Sequence, residues 1–155
     1  MNRILVVSDT HLDPEDPIRY QAILDAIRSC KADHLVLAGD IFEAWIGSDG
    51  AEELDIMFLR SLVEEFPRVT FIPGNRDFLV SPEFTSNLGL EYQSKIIDPN
   101  FSIIHGDELC TDDIEYQNFR RMVRSSEWQR EFLEKPLSIR QNIAKDLRRT
   151  SRINQ

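Results

Sequence analysis

"VTFIPGNRDFLV", residues 69–80, decides how this chain is read. Val69 to Pro73 form an apolar run of strand length, and Gly74-Asn75 behind it is ordinarily a turn. A turn needs nothing more. Here Arg76 and Asp77 follow directly, which places an amide, a guanidinium and a carboxylate together where a strand ends. Gly74 is expected to let the strand end sharply, so that the Asn75 amide oxygen can face a ligand. Asp77 can tie down its own loop.

Outward from this stretch the same arrangement recurs. Ile4-Leu5-Val6-Val7 reads as a buried strand and runs into "SDTHLD", with Asp9 and His11. His34-Leu35-Val36-Leu37-Ala38 is a second buried strand, running into "GDIFEAW", with Asp40. A strand near 92–97 is expected to pair with Phe101-Ser102-Ile103-Ile104 across Asp98-Pro99-Asn100. That second arm ends at His105, with Asp107 just after. Helices are expected between the strands. Asp16 caps one that starts at Pro17, with Ile18, Ala22, Ile23, Ala26 and Ile27 at helical spacing. Asp49 with Glu52 can form a capping box for another through about Phe66, whose apolar face is Leu54, Met57, Phe58, Leu62 and Val63. Ser81-Pro82 opens a short helix that Gly89 stops. Strands alternating with helices predict an α/β fold. After residue 111 the pattern turns helical, from Asp112 to about Arg124 and from Pro136 to Arg152, with Trp128 and Phe132 between. Asp112 with Glu115 makes a capping box there.

Composition narrows the function classes. The chain has 155 residues, one domain's worth. Cys30 and Cys110 have no metal-type or redox-type spacing, which predicts a reducing, cytoplasmic setting. No apolar run approaches the ~20 residues of a spanning helix, and the start lacks a signal peptide's apolar stretch. The net charge of −9 is uneven: residues 1–119 hold 8 Lys/Arg against 23 Asp/Glu, and residues 120–155 hold 10 against 4. An acidic body argues against a general nucleic-acid binder and suits a site that gathers cations.

If the strands are largely parallel, their carboxyl ends share the usual binding edge of an α/β sheet. Asp9, His11, Asp40, Asn75 and His105 would then meet in one crevice. Asp9 and His11 can chelate one cation, and Asp40 has two oxygens and can bridge two. Asn75 adds a neutral oxygen and His105 a ring nitrogen. Such mixed ligation suits manganese, iron or zinc better than calcium. Two cations about 3.5–4 Å apart can activate a water at neutral pH and clamp a phosphoryl group for in-line displacement. Taken singly each motif has a plain structural reading, Asp9 as a turn cap and GD or GN as turns. His34, without a partner in the pattern, reads as structural. The ordered set of four is what turns do not explain.

That set, D-x-H, GD, GNxD and GD preceded by His, resembles the calcineurin-like metallophosphoesterases. Within them "GDIFEAWIGSD", "GNRDFLV" and "IHGDELCTDDIEYQNFRRMVR" look like the branch that acts on UDP-2,3-diacylglucosamine in Gram-negative lipid A biosynthesis. The resemblance covers essentially the whole chain. It implies a four-layer αββα sandwich, incomplete here, with a core over residues 1–111 and a basic helical cap over 112–155. It also implies hydrolysis of the pyrophosphate bond to UMP and 2,3-diacylglucosamine 1-phosphate, with two manganese ions. By position, Asp9, His11 and Asp40 would hold one ion, and Asp40, Asn75 and His105 the other. Arg76 replaces the histidine of most of the superfamily and would bind the phosphate under attack; its fixed, always-charged donors suit phosphate. Asp113 and Tyr116, one helical turn apart, would contact the substrate's head groups, and Ser151 falls where the cap offers a further contact.

Arg120, Arg121, Arg124, Arg148, Arg149 and Arg152 mix with Met122, Val123, Trp128, Phe132, Leu133, Leu137, Ile143 and Leu147. A solvated helix face is the plain reading for any one arginine. Together they suit a cap that takes acyl chains while resting on an anionic membrane surface, which the resemblance implies is the cytoplasmic face of the inner membrane. The family's later G-H-x-H segment is missing, since the three histidines are His11, His34 and His105. A fragment of a longer enzyme and a natural short relative without activity both account for this. The first is favoured, because all five ligand types are kept. On either account the chain alone is expected to be weakly active or inactive, and poorly stable. Two other functions stay open: a general metallophosphoesterase and a non-catalytic module.

Overall fold

The computed structural model describes residues 3–153, except for the side chains of residue 148 and residues 150–153. It contains two compact units, Met1–Leu109 and Cys110–Gln155.

In the first unit the apolar runs form a parallel sheet in the order β1-β2-β3-β4, from Ile4–Val7 (β1), His34–Ala38 (β2), Val69–Ile72 (β3) and Glu91–Tyr92 (β4). Between them run α1 (Pro17–Arg28), α2 (Glu53–Glu65) and α3 (Pro82–Asn87). With neighbouring strands joined in sequence, right-handed crossovers put these helices on one face. The α/β expectation holds. β2 and β3 are buried throughout because both their faces are covered. β1 is not. It is an edge strand, and Ile4 and Val6 on one of its faces are 38% and 48% exposed.

The expected hairpin forms, as β5 (Ile96–Ile97) against β6 (Ser102–Ile103). Its strand at 92–97 is divided, however. Glu91 and Tyr92 pair with β3 instead, held partly by two hydrogen bonds that the Arg68 guanidinium donates to the Glu91 carboxylate. The hairpin lays Ile96 and Ile103 on Val36, Ala38 and Ile72, the sheet face turned away from Leu35, Leu37 and Phe71.

Helix starts follow local chemistry. Asp16 accepts from the Arg19 N–H at 3.2 Å with Pro17 at the first position, and Ser81 accepts from Phe84 at 3.1 Å. Two expectations shift by a few residues. α2 is opened by a box of Glu52 with Asp55, not Asp49 with Glu52; residues 48–50 form a separate 3-10 turn. The face of α1 that packs is Tyr20, Leu24 and Ile27, while Ile18 is 80% exposed. On α2 it is Phe58, Leu59 and Leu62, and Met57 faces out. A buried contact explains both helices: Tyr20 donates its hydroxyl to Asp55, and its ring meets Phe58 edge-on at 5.9 Å. His34 is structural, buried, with Nε2 bonded to Thr70 Oγ1 at 2.8 Å and its pKa held low by burial.

The second unit is helical: α4 (Ile114–Val123), α5 (Ser126–Leu133) and α6 (Leu137–Ile153). The stretch holding Trp128 and Phe132 is itself a helix, capped by Ser125, with the two rings stacked at 4.8 Å. Asp113 rather than Asp112 caps α4, accepting the Tyr116 N–H at 2.9 Å. Among the described residues no helix is long and apolar enough to cross a membrane.

Candidate metal centre

The loops after β1 and β2 leave the sheet side by side. Asp9 N–H donates to Gly39 O at 3.1 Å, His11 N–H to Asp40 O at 3.1 Å, and Leu12 N–H to Ile41 O at 2.8 Å. Asp9, His11 and Asp40 all have positive φ, at 54°, 47° and 53°. Left-handed backbone is uncommon for residues with a side chain and costs energy that the surroundings must impose. The pairing of the two loops supplies that constraint. It turns the three side chains toward one another, so that a ligand atom from each lies within 4.8 Å of the others.

Asp40 belongs to a second group as well. His105 Nε2 stands 3.5 Å from Asp40 Oδ1 and 2.9 Å from Asn75 Oδ1. The Asp40 side chain is 5% exposed and that of His105 8%. His105 arrives from the hairpin, not from the main sheet, and its Nδ1 contacts Ala38 O at 3.0 Å. A carbonyl oxygen can only accept, so in the neutral ring Nδ1 carries the proton and Nε2 presents a lone pair. That lone pair then faces the Asn75 and Asp40 oxygens, acceptors meeting acceptors. A cation among them removes the conflict. The donor set therefore fits a metal, with one group of Asp9, His11 and Asp40, another of Asp40, Asn75 and His105, and Asp40 common to both.

Two glycines make this approach possible. A Cβ on Gly39, at φ +89°, would lie 2.4 Å from His105 Nδ1. Gly74 was expected to sharpen the strand end, but its φ is not positive. Its reason is space: a Cβ there would lie 2.2 Å from Asp40 Oδ1 and 2.3 Å from Asp40 N.

Asp77 does more than tie its own loop. Fully buried, its carboxylate accepts N–H groups from Gly74 at 2.7 Å, Ile41 at 2.7 Å and Asp40 at 3.3 Å, joining the loops after β2 and β3. Burial pushes its pKa up to about 6, and the nearby Asp40 carboxylate adds to the rise against the pull of the three N–H donors. Arg76 gives its backbone N–H to Asp40 Oδ1 at 2.9 Å, and its Nε lies 3.7 Å from Asp40 Oδ2.

The residue that sequence reasoning passed over is Glu43. Oε1 is 3.0 Å from Arg76 Nη1 and Oε2 is 3.4 Å from His11 Nδ1. Its only signal in the sequence was a carboxylate three positions after Asp40. Asp113 and Tyr116 lie in the second unit, where the Asp113 carboxylate caps α4. The Ser151 side chain falls outside the described residues.

Comparison with known proteins agrees with the chemistry of this centre. The family model for calcineurin-like phosphoesterases matches residues 2–148. The chain is 41% identical over 158 aligned positions to UDP-2,3-diacylglucosamine hydrolase of Salmonella arizonae, and 40% identical to those of Salmonella typhi and Salmonella enteritidis. These alignments cover 96% of this chain and 66% of each relative, so the chain spans just under two thirds of their length. The extent of the family match, together with the ordered ligand loops, places the chain in the calcineurin-like phosphoesterase family.

Proposed function

We propose that the chain carries the metal centre of a hydrolase that cleaves the pyrophosphate bond of UDP-2,3-diacylglucosamine, releasing UMP and 2,3-diacylglucosamine 1-phosphate. The observation that carries the reading is the position of Asp40, common to two ligand groups with a guanidinium beside it. The substrate is suggested by the relatives, which are named for it. Two manganese ions, when bound, would supply an activated water and a positive clamp on the phosphoryl oxygens. Asp9, His11 and Asp40 would hold one, and Asp40, Asn75 and His105 the other.

The chain's own groups have distinct work. Asp40, buried and fixed by the Arg76 N–H, keeps its carboxylate aimed between the two groups. The Ala38 carbonyl at His105 Nδ1 selects, for the neutral ring, the form that leaves Nε2 to bind. Arg76, 28% exposed at its side chain, offers charged donors at the rim, where a phosphate can take them in two parallel bonds. Water added across the P–O–P link gives two phosphate monoesters, and the more negative products are still met by that guanidinium. Asp113, Tyr116 and Ser151 would contact the head groups. The basic and apolar helical unit, with Met122 and Leu133 exposed, would rest on the anionic cytoplasmic face of the inner membrane.

A manganese-dependent panel tests this. UMP is expected from UDP-2,3-diacylglucosamine and not from UDP-glucose, at a rate that anionic vesicles raise. Release from both nucleotides alike would point to a general phosphoesterase. Release from neither, with metal bound, would sink the activity for this chain.

A further inference from the structure

Glu43 sits where three loops meet. Its backbone N–H donates to Leu12 O at 2.8 Å, which seats it beside the His11 loop. Two residues on, Trp45 N–H donates to Arg76 O at 2.9 Å, which seats the same segment beside the Arg76 loop. The carboxylate, 14% exposed, stands between the two side chains with one oxygen toward each. His11 Nδ1 is buried and without a hydrogen bond, and Glu43 Oε2 is the carboxylate oxygen facing it at 3.4 Å. The other ring nitrogen, Nε2, is the one on the Asp9 side, 3.9 Å from Asp9 Oδ1.

We propose that Glu43 is a positioning residue that keeps the proton of His11 on Nδ1, so that Nε2 faces the cation, and holds the Arg76 guanidinium beside Asp40. It rests on the reading of His11 as a ligand and of Arg76 as the group that binds the phosphate. A carboxylate suits both tasks, because it has two acceptor oxygens and a charge that each partner complements. A histidine that binds a metal through one nitrogen needs its other N–H engaged, or the ring samples the wrong tautomer and orientation. Glu43 thereby makes one structural unit of a metal ligand and a phosphate-binding group that lie 65 positions apart in sequence.

The test uses the full chain without metal, at about pH 8, above the ordinary histidine pKa of about 6.5. Only three histidines contribute ring signals, so 15N shifts can be followed for each. In the wild type His11 is expected in the Nδ1–H form. In Glu43→Ala it is expected to move toward the Nε2–H form favoured in free solution, while the His34 signals, fixed by Thr70, stay in place and report an intact fold. Manganese affinity, read by paramagnetic resonance of the free ion, is expected to fall by about 10–100-fold. Glu43→Gln, which keeps the volume, should shift the ring signals in the same direction, since one amide oxygen cannot serve both partners. Unchanged His11 signals and affinity in both variants would overturn the inference. Neither readout depends on turnover. A wild type that binds manganese yet releases no UMP would defeat the activity proposed for this chain, while the ring signals still decide on Glu43.

Discussion

No side chain fits at Gly74. The Asp40 backbone and carboxylate occupy the space a Cβ would need, at 2.3 and 2.2 Å. Gly74→Ala must therefore displace Asp40, and overpacking of this kind costs about 1–3 kcal/mol. Stability measured by urea unfolding is expected to fall by that amount, and manganese affinity by at least about tenfold as the shared carboxylate moves. Equal affinity in the variant would show that Asp40 is not a ligand. At this scale much of the centre was legible. Asp9, His11, Asp40 and Asn75 each follow an apolar run of the parallel sheet, and chain direction carries them to one edge, while His105 reaches the same place from the hairpin. Gly74, Asp77 and Glu43 were read too locally because what they touch comes from other loops. Nothing in "GNRD" says that Asp77 will take N–H groups from residues 40 and 41.

Helix α1 and helix α2 meet through a polar contact inside an apolar seam. Tyr20 gives its hydroxyl proton to Asp55, which also accepts the Glu52 N–H at 3.1 Å as part of the box that opens α2. Burial raises the pKa of Asp55 and, more strongly, that of Tyr20, so the phenol stays the donor. Tyr20→Phe keeps the ring against Phe58 and removes the donor, leaving a buried carboxylate short of a partner. A loss of about 1–3 kcal/mol is expected in chemical unfolding. Added to Asp55→Ala the same change should cost much less, since the partner is already gone; full additivity would contradict a direct coupling. This contact also explains what sequence periodicity missed. Spacing identified α1 and α2 as helices, but the packed face turned toward Tyr20 and Leu24 because an acid on the next helix draws the phenol inward. Likewise β4 leaves its expected hairpin because β3 offers open backbone groups and Arg68 a charged partner for Glu91. Periodicity reports which residues are apolar, not which neighbour claims them.

Across the whole molecule, strand–helix alternation sufficed for the α/β class, and the change of pattern near residue 111 for a helical second unit. The exposure of Ile4 and Val6 was not legible, because a short apolar run reads the same at a sheet's edge as at its centre. The crossing of the ligand loops has a thermodynamic consequence. The centre draws on positions 9, 11, 40, 75 and 105, and Asp77 locks two of the contributing loops together. An unfolded chain holds these groups apart and has little to offer a divalent ion. The ion thus binds one side of the folding equilibrium, and at about 100 times its dissociation constant it adds roughly 2.7 kcal/mol to stability. For a chain of this size that corresponds to a rise of roughly 5–10 °C in Tm, reversed by a chelator. Melting temperature then becomes a gauge of site assembly, readable without any substrate. A manganese series with no shift in Tm would mean that the loops fold without making a binding site.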